Sequence, residues 1–394
     1  MSYLSNSRRN FLKVLTTSSI VSATGLPVFA QPVKANPLIA DSPADSNFPE
    51  NERPDMYDGP ASSLFKPVSL KGNINIADLA KAEVSKYMSE DMDYIPKGDG
   101  IAWGIPFKIS EKIIHLRNKT FSFNTNPVKS KWLVFLHTSD YMPPEEDDSG
   151  FFEKPFKGRG QLNEHVADYI IIYSDGTEET TQVRERFHIG MFQQMWGENC
   201  FEAVAHHKPR PVRAHHEQTT GGWGWSQTRA SAADRGAWIN WLWAWENPHP
   251  EKTISGFRFV PKDKVSIVLS AITAGDVKTN PLRWNQREKA LLTLPEDVKF
   301  EPDLDNDGLL SQISLDLGTI ISATPRLVYP KNDWTNEYNN KIPKRSSNEI
   351  LIEYTAHPEA SFHFMEDKKI SMSKLKDSEW DGALKQVEPA MQKV

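Results

Sequence analysis

From Leu64 onward, apolar positions come in short runs of β-branched and aromatic residues bounded by turn formers, the pattern of strands rather than helices. The clearest runs are Trp132-Leu133-Val134-Phe135-Leu136, Tyr169-Ile170-Ile171-Ile172-Tyr173, residues 254–260 and residues 265–272. Ser174-Asp175-Gly176-Thr177 follows the second of them, and Asp-Gly tolerates the positive φ that a tight hairpin turn requires. The next run, 178–184, alternates less cleanly, which places it toward a sheet edge. Trp241, Trp243 and Trp245 recur at period two, so their indoles share one face of a strand and are expected in the core or sheet packing. One short helix is expected around 76–88. The strand spacing, with no βαβ alternation, predicts an all-β protein: an antiparallel β-sandwich or jelly roll over 63–296.

Beyond Pro295 an acidic loop precedes runs at 313–321, 326–329 and 349–355. Residues 297–394 therefore form either a second small β-domain or further strands of the first. The charged stretch from Lys374 to the end is expected to be helical or frayed.

The first thirty residues do not belong to this pattern. Ser7-Arg8-Arg9-Asn10-Phe11-Leu12-Lys13 precedes a mildly apolar stretch that ends in Val28-Phe29-Ala30, with small residues where a signal peptidase would cut. This resembles a twin-arginine signal peptide (1–30), which implies export of an already folded chain to the periplasm or beyond. Residues 31–62, rich in proline, aspartate and serine, read as a flexible linker.

Composition narrows the class. The 394 residues hold 38% hydrophobic and 25% charged side chains, with a mean hydropathy of -0.55, as in a soluble globular protein. No run is long and apolar enough for a membrane span. One cysteine, Cys200, excludes a disulfide framework. Removing the leader's Arg8, Arg9 and Lys13 takes the formal charge from -6 to -9, unlike a general nucleic-acid binder.

Against that charge, one segment is basic. His206-His207 and His215-His216 flank Lys208, Arg210 and Arg213, and Trp223, Trp225 and Arg229 follow. Gly221-Gly222-Trp223-Gly224-Trp225 is too glycine-rich for a helix or regular strand, so it reads as a loop that presents indole rings. Indole faces stack on the C–H faces of sugars, and Arg and Lys match sulfate or carboxylate. The partner expected is an anionic oligosaccharide or polysaccharide. Packing of these residues as ordinary loop contacts is the other reading.

Gly104-Ile105-Pro106-Phe107-Lys108-Ile109, Trp132 to His137, Tyr173-Ser174-Asp175-Gly176-Thr177 and Trp245-Glu246-Asn247-Pro248-His249-Pro250, in that order, resemble a galactose-binding-like β-sandwich of secreted bacterial carbohydrate-active proteins. With its leader, the chain more loosely resembles exported proteins of marine polysaccharide-degrading bacteria, among them oligosaccharide dehydratases acting on the uronate ends of ulvan. The resemblance implies β-elimination at a non-reducing uronate, giving a 4,5-unsaturated sugar. Such a reaction needs a cation beside the carboxylate, a base for the C5 proton and an acid for the leaving oxygen. His206, His207, His215 and His216 are candidate base and acid, Arg213 and Arg210 candidate cations, and Tyr173 a further acid. Trp223, Trp225 and Arg229 would hold substrate. Loss of water is dehydration, whereas loss of a glycosidic oxygen is lyase cleavage, and residue types do not separate the two. A binding protein without catalysis is the alternative from another class.

Finally, Asp303-Leu304-Asp305-Asn306-Asp307-Gly308 alternates oxygen donors and ends in glycine. It reads as a structural calcium loop with Asp303, Asp305 and Asp307 as ligands, or as an acidic turn, since Ser314 stands where an EF-hand has glutamate.

Overall fold

The computed structural model describes residues 55–140, 161–193, 199–208, 238–262, 265–295, 298–302, 305, 307–328, 344–364 and 368–387. The predicted leader (1–30) lies outside them, as do Arg210, Arg213, His215, His216, Trp223, Trp225, Arg229 and Asp303. The chain divides into two compact units: among the described residues, 55–58 and 62–283 belong to the first, and 59–61 with those from 284 onward to the second.

The first unit holds thirteen strands: β1 (Phe65–Val68), β2 (Ile74–Asn75), β3 (Gly98–Ala102), β4 (Ile105–Ile109), β5 (Lys112–Leu116), β6 (Phe121–Val128), β7 (Trp132–Ser139), β8 (His165–Tyr173), β9 (Glu178–Arg184), β10 (Ala203–Ala205), β11 (Trp241–Glu246), β12 (Ile254–Pro261) and β13 (Ile267–Gly275). One sheet runs β10-β11-β7-β13-β5-β2, with β1 also on β13, and the other runs β6-β12-β8-β9. All named pairs are antiparallel. The pairs β8·β9, β7·β11, β6·β12 and β5·β13 are nested about one turn. One long hairpin rolled into two sheets in this way is a jelly roll.

That turn is the predicted Ser174–Thr177. Gly176 has φ 85°, and the Asp175 carboxylate accepts both the Thr177 amide at 2.9 Å and its hydroxyl at 2.6 Å. β9 ends its sheet, as its irregular alternation suggested. The helical expectation near 76–88 resolves into a 3₁₀ turn (Ile76–Lys81) and α1 (Lys86–Asp91), whose N-cap Ser85 accepts the Met88 amide.

Facing residues of the two sheets form a single core. Leu133 and Phe135 of β7, Trp241, Trp243 and Trp245 of β11, and Ile267, Leu269, Ile272 and Ala274 of β13 meet Phe123, Tyr169, Ile171, Tyr173, Phe257 and Phe259. The three period-two tryptophans are thus core residues. Trp243 stacks on Phe135 with centroids 5.4 Å apart.

β7 and β13 are buried at every position rather than at alternate ones, because the larger sheet is covered on both faces. On its outer face lies the β3–β4 hairpin, where Thr273 of β13 donates its hydroxyl to the Pro106 carbonyl at 2.6 Å. This explains the continuous apolar runs, which an open sandwich would have shown as alternation.

The second unit has β14 (Glu288–Thr293), β15 (Ile313–Leu315), β16 (Gly318–Val328), β17 (Lys344–Ala356), β18 (Ser361–Phe364), β19 (Lys368–Ser371) and β20 (Leu384–Gln386). Its sheets run β16-β17-β14-β20 and β15-β18-β19, around Ile313, Ile352, Tyr354 and Phe362. β14, which the sequence pattern assigned to the sandwich, pairs with β17 and β20. Of the charged C-terminal stretch, expected to be helical or frayed, the described residues include the end of a short helix α2 (Met372–Leu375) and the strand β20.

Candidate functional site

Antiparallel strands give the jelly roll two distinct ends. At one end the connections are brief: the 174–177 turn, residues 129–131, and residues 247–253 between β11 and β12. At the other, the chain leaves β7 after Ser139 and returns at His165, leaves β9 after Arg184 and returns at β10, and leaves β10 after Ala205 and returns at Trp241. Long connections on a rigid sandwich are where ligand groups are presented.

The predicted histidine pair lies at this long-loop end. His206 continues the β10–β11 ladder: its amide donates to the Asn240 carbonyl at 2.9 Å, and its Nδ1 accepts the Asn240 amide at 3.2 Å. That acceptor role puts the ring proton on Nε2. Burial, aided by His207, pushes the His206 ring down to about 3, so it is neutral at physiological pH. His207 is half-buried, its ring perpendicular to that of His206 with centroids 5.0 Å apart.

Lys208, next in the chain, is buried. Its ammonium donates to the Asp58 carbonyl at 3.0 Å and stands 3.7 Å from the Asp58 carboxylate. Asp58 also accepts the Trp103 amide at 2.7 Å, and burial raises its pKa against the pull of Lys208. Trp103 takes an unusual left-handed φ of 58° and donates its indole N–H to the Ala205 carbonyl at 2.8 Å. The predicted basic segment is therefore rooted at Lys208 on one side and at Trp238 on the other. Trp238 is buried, and its indole donates to Asn240 Oδ1 at 3.2 Å.

Tyr173 sits at the opposite end. Its hydroxyl donates to Asn247 Oδ1 at 2.6 Å, beyond the far end of β11. Asn240 and Asn247 are seven positions apart, which along a strand is about 23 Å. Tyr173 and His206 are thus not brought together. Burial first, then Glu179, Glu251 and Asp175, push the phenol up to about 12.

The same long-loop end gathers groups that the sequence did not single out. His137 is fully buried in β7, its Nδ1 2.9 Å from the Tyr169 hydroxyl and its Nε2 2.9 Å from the His188 carbonyl. The carbonyl can only accept, so Nε2 carries the proton and Tyr169 donates to Nδ1. Burial pushes this ring down to about 3. His188 packs on Trp243 at 4.8 Å, accepts the Arg184 amide at 3.0 Å and faces Glu202 at 3.4 Å. Ser139 donates to buried Glu185 at 2.9 Å. Burial, then Glu185, push the Cys200 thiol well up, which makes it a poor nucleophile. His137 and Ser139 extend the apolar Trp132–Leu136 run, and only the neighbouring strands reveal what they touch. Displaced titrating groups gathered at one end of a fold mark a candidate site.

In the second unit, Asp305 Oδ1 accepts the amides of Asp307 and Leu309, both at 2.9 Å, and Gly308 turns at φ 78°. That carboxylate closes its own turn. Asp303 lies outside the described residues, and among those described no three acidic, histidine or cysteine side chains gather as metal ligands. Nor is any described helix long and apolar enough to cross a membrane.

No protein-family model, no curated protein and no solved structure matches the chain. The sandwich rests on its own strand order, and the likeness to carbohydrate-active proteins rests on the sequence motifs alone.

Proposed function

We propose that the protein is an exported carbohydrate-active protein whose long-loop end takes an anionic, uronate-containing oligosaccharide and acts on it by β-elimination, yielding a 4,5-unsaturated uronate. What supports this reading is one juxtaposition. The segment that carries Arg210, Arg213, His215, His216, Trp223, Trp225 and Arg229 leaves and re-enters the fold at Lys208 and Trp238, at the end where His137, His188 and His206 have displaced pKa values. Indoles for sugar faces, guanidinium groups for the uronate carboxylate and imidazoles for the C5 proton then belong to one connection. His206, neutral with Nδ1 engaged, supports the connection, which leaves His207, His215 and His216 for proton transfer.

The test is to incubate the purified protein with uronate-terminated sulfated oligosaccharides, following the near-ultraviolet absorbance of a conjugated enoate together with product masses. Absorbance should rise with loss of one water, whereas chain shortening would mean lyase cleavage. His215→Ala and Arg213→Ala should each abolish the product and leave the fold intact. Unchanged turnover in both would move the site elsewhere.

A second reading is binding without turnover. It is favoured by the structural duties of two candidate proton-transfer groups, His206 and Tyr173. It expects affinity without product, lost in Trp225→Ala.

A further inference from the structure

The second unit holds a group of side chains that the proposed function does not use. Ser314 of β15 stands directly opposite His363 of β18 in the antiparallel ladder. Asp316 lies two positions beyond Ser314 and so shares its face. Its amide donates to the Ser361 carbonyl at 3.2 Å, and hydrogen-bonded pairs alternate in such a ladder, so Ser314 and His363 are a hydrogen-bonded pair as well. Directly opposed side chains have Cβ atoms about 5 Å apart, within reach of a hydroxyl and an imidazole.

The carboxylate of Asp316 is rigidly held. Its Oδ1 accepts the Leu317 amide at 2.6 Å and the Ser361 amide at 2.7 Å. Its Oδ2 faces His363 Nε2 at 3.1 Å. An acceptor on that side makes Nε2 the protonated nitrogen, which leaves the imidazole lone pair on Nδ1. A nucleophile, a base in a set tautomer and an acid that orients the base are the three parts of nucleophilic acyl transfer, recognised by role rather than by sequence order.

We propose that Ser314, His363 and Asp316 form a second reactive site, which hydrolyses carboxylic esters of small acyl groups. Ser314 Oγ attacks the ester carbonyl carbon as its proton passes to His363 Nδ1. The carbonyl carbon–alkoxy bond breaks, and the alcohol departs with that proton. Water then attacks the acyl carbonyl carbon as it gives a proton to the same nitrogen; the carbonyl carbon–Oγ bond breaks, the acid leaves, and that proton returns to Ser314 Oγ. Asp316 is the positioning residue. The small size of the acyl group follows from burial, since Ser314 is 4% exposed and His363 7%. A bulky acyl chain would not reach the hydroxyl, whereas an acetyl group presents its carbonyl at the end of the substrate.

The test uses the full chain. It is treated with a small fluorophosphonate, the adduct is located by peptide mass analysis, and hydrolysis of p-nitrophenyl acetate is followed in parallel. The expected result is one adduct, on Ser314, with hydrolysis falling about a hundredfold or more in Ser314→Ala and in His363→Ala. An unlabelled Ser314, or hydrolysis unchanged in Ser314→Ala, would overturn the proposal. Labelling of the unaltered protein decides the matter even if His363→Ala fails to fold. Neither readout involves uronates, so the outcome is independent of the proposed elimination.

Discussion

The two ends of the jelly roll are built from the same strands and held in different ways. The hairpin end is closed by short turns and by neutral or exposed polar contacts: Tyr173 on Asn247, Asp175 on Thr177, Lys252 on Asp175. The long-loop end is closed by buried titratable groups, with His137 on Tyr169, His206 on Asn240 and Lys208 on Asp58. A short turn satisfies its own backbone groups, whereas a long connection leaves and re-enters the sheet with polar groups that side chains must satisfy. The long-loop end is therefore the place where protonation and stability are coupled.

Acid should separate the ends most strongly. His137 and His206 titrate at about 3 in the fold and near 6.5 in the unfolded chain. Below pH 6.5 the unfolded chain takes up protons that the fold refuses, so the stability present above that pH is lost as pH falls toward 3. At pH 5 each ring costs about 2 kcal/mol. Urea denaturation should show a loss of about 4 kcal/mol between pH 7 and pH 5, roughly halved in His206→Asn. Equal stability at the two pH values would mean that neither ring is held neutral.

Next in size is the buried ion pair. Lys208→Ala leaves the Asp58 carboxylate enclosed without its cation, which should cost about 3 kcal/mol in thermal or urea denaturation. The double variant Lys208→Met with Asp58→Asn should recover much of that. No recovery would show that Lys208 acts through packing rather than charge, and the contrast between the ends would weaken.

The smallest effect is expected at the hairpin end. Tyr173→Phe removes one hydrogen bond, while Asn247 Oδ1 keeps the His249 amide, so the cost should be about 1 kcal/mol. Oligosaccharide turnover should be unchanged. A Tyr173→Phe variant with full stability and no turnover would place the reaction at the hairpin end instead.

The strands were legible because their information is local. Asp175-Gly176 marks the turn about which the jelly roll is rolled, and period two at Trp241, Trp243 and Trp245 marks a core face. The bounds 63–296 took in β14, which pairs with β17 and β20, because six residues of β-type sequence carry no record of which strand they pair with. The full burial of β13 depended on the β3–β4 hairpin packing against it, which no alternation within the strand records. Of the candidate site, the basic and aromatic residues could be picked out by type, His206 among them. Its neutrality, the burial of Lys208 and the distance to Tyr173 could not, because each depends on side chains far along the chain: Asn240, Asp58 and Asn247.

Antiparallel strands, the place of the hairpin turn and the core tryptophans could all be read locally, because periodicity and turn chemistry act over a few residues. The tertiary structure alone decided which strands pair, which face is covered twice, and which histidines are neutral. Those properties follow from desolvation and hydrogen bonding between segments that only folding brings into contact.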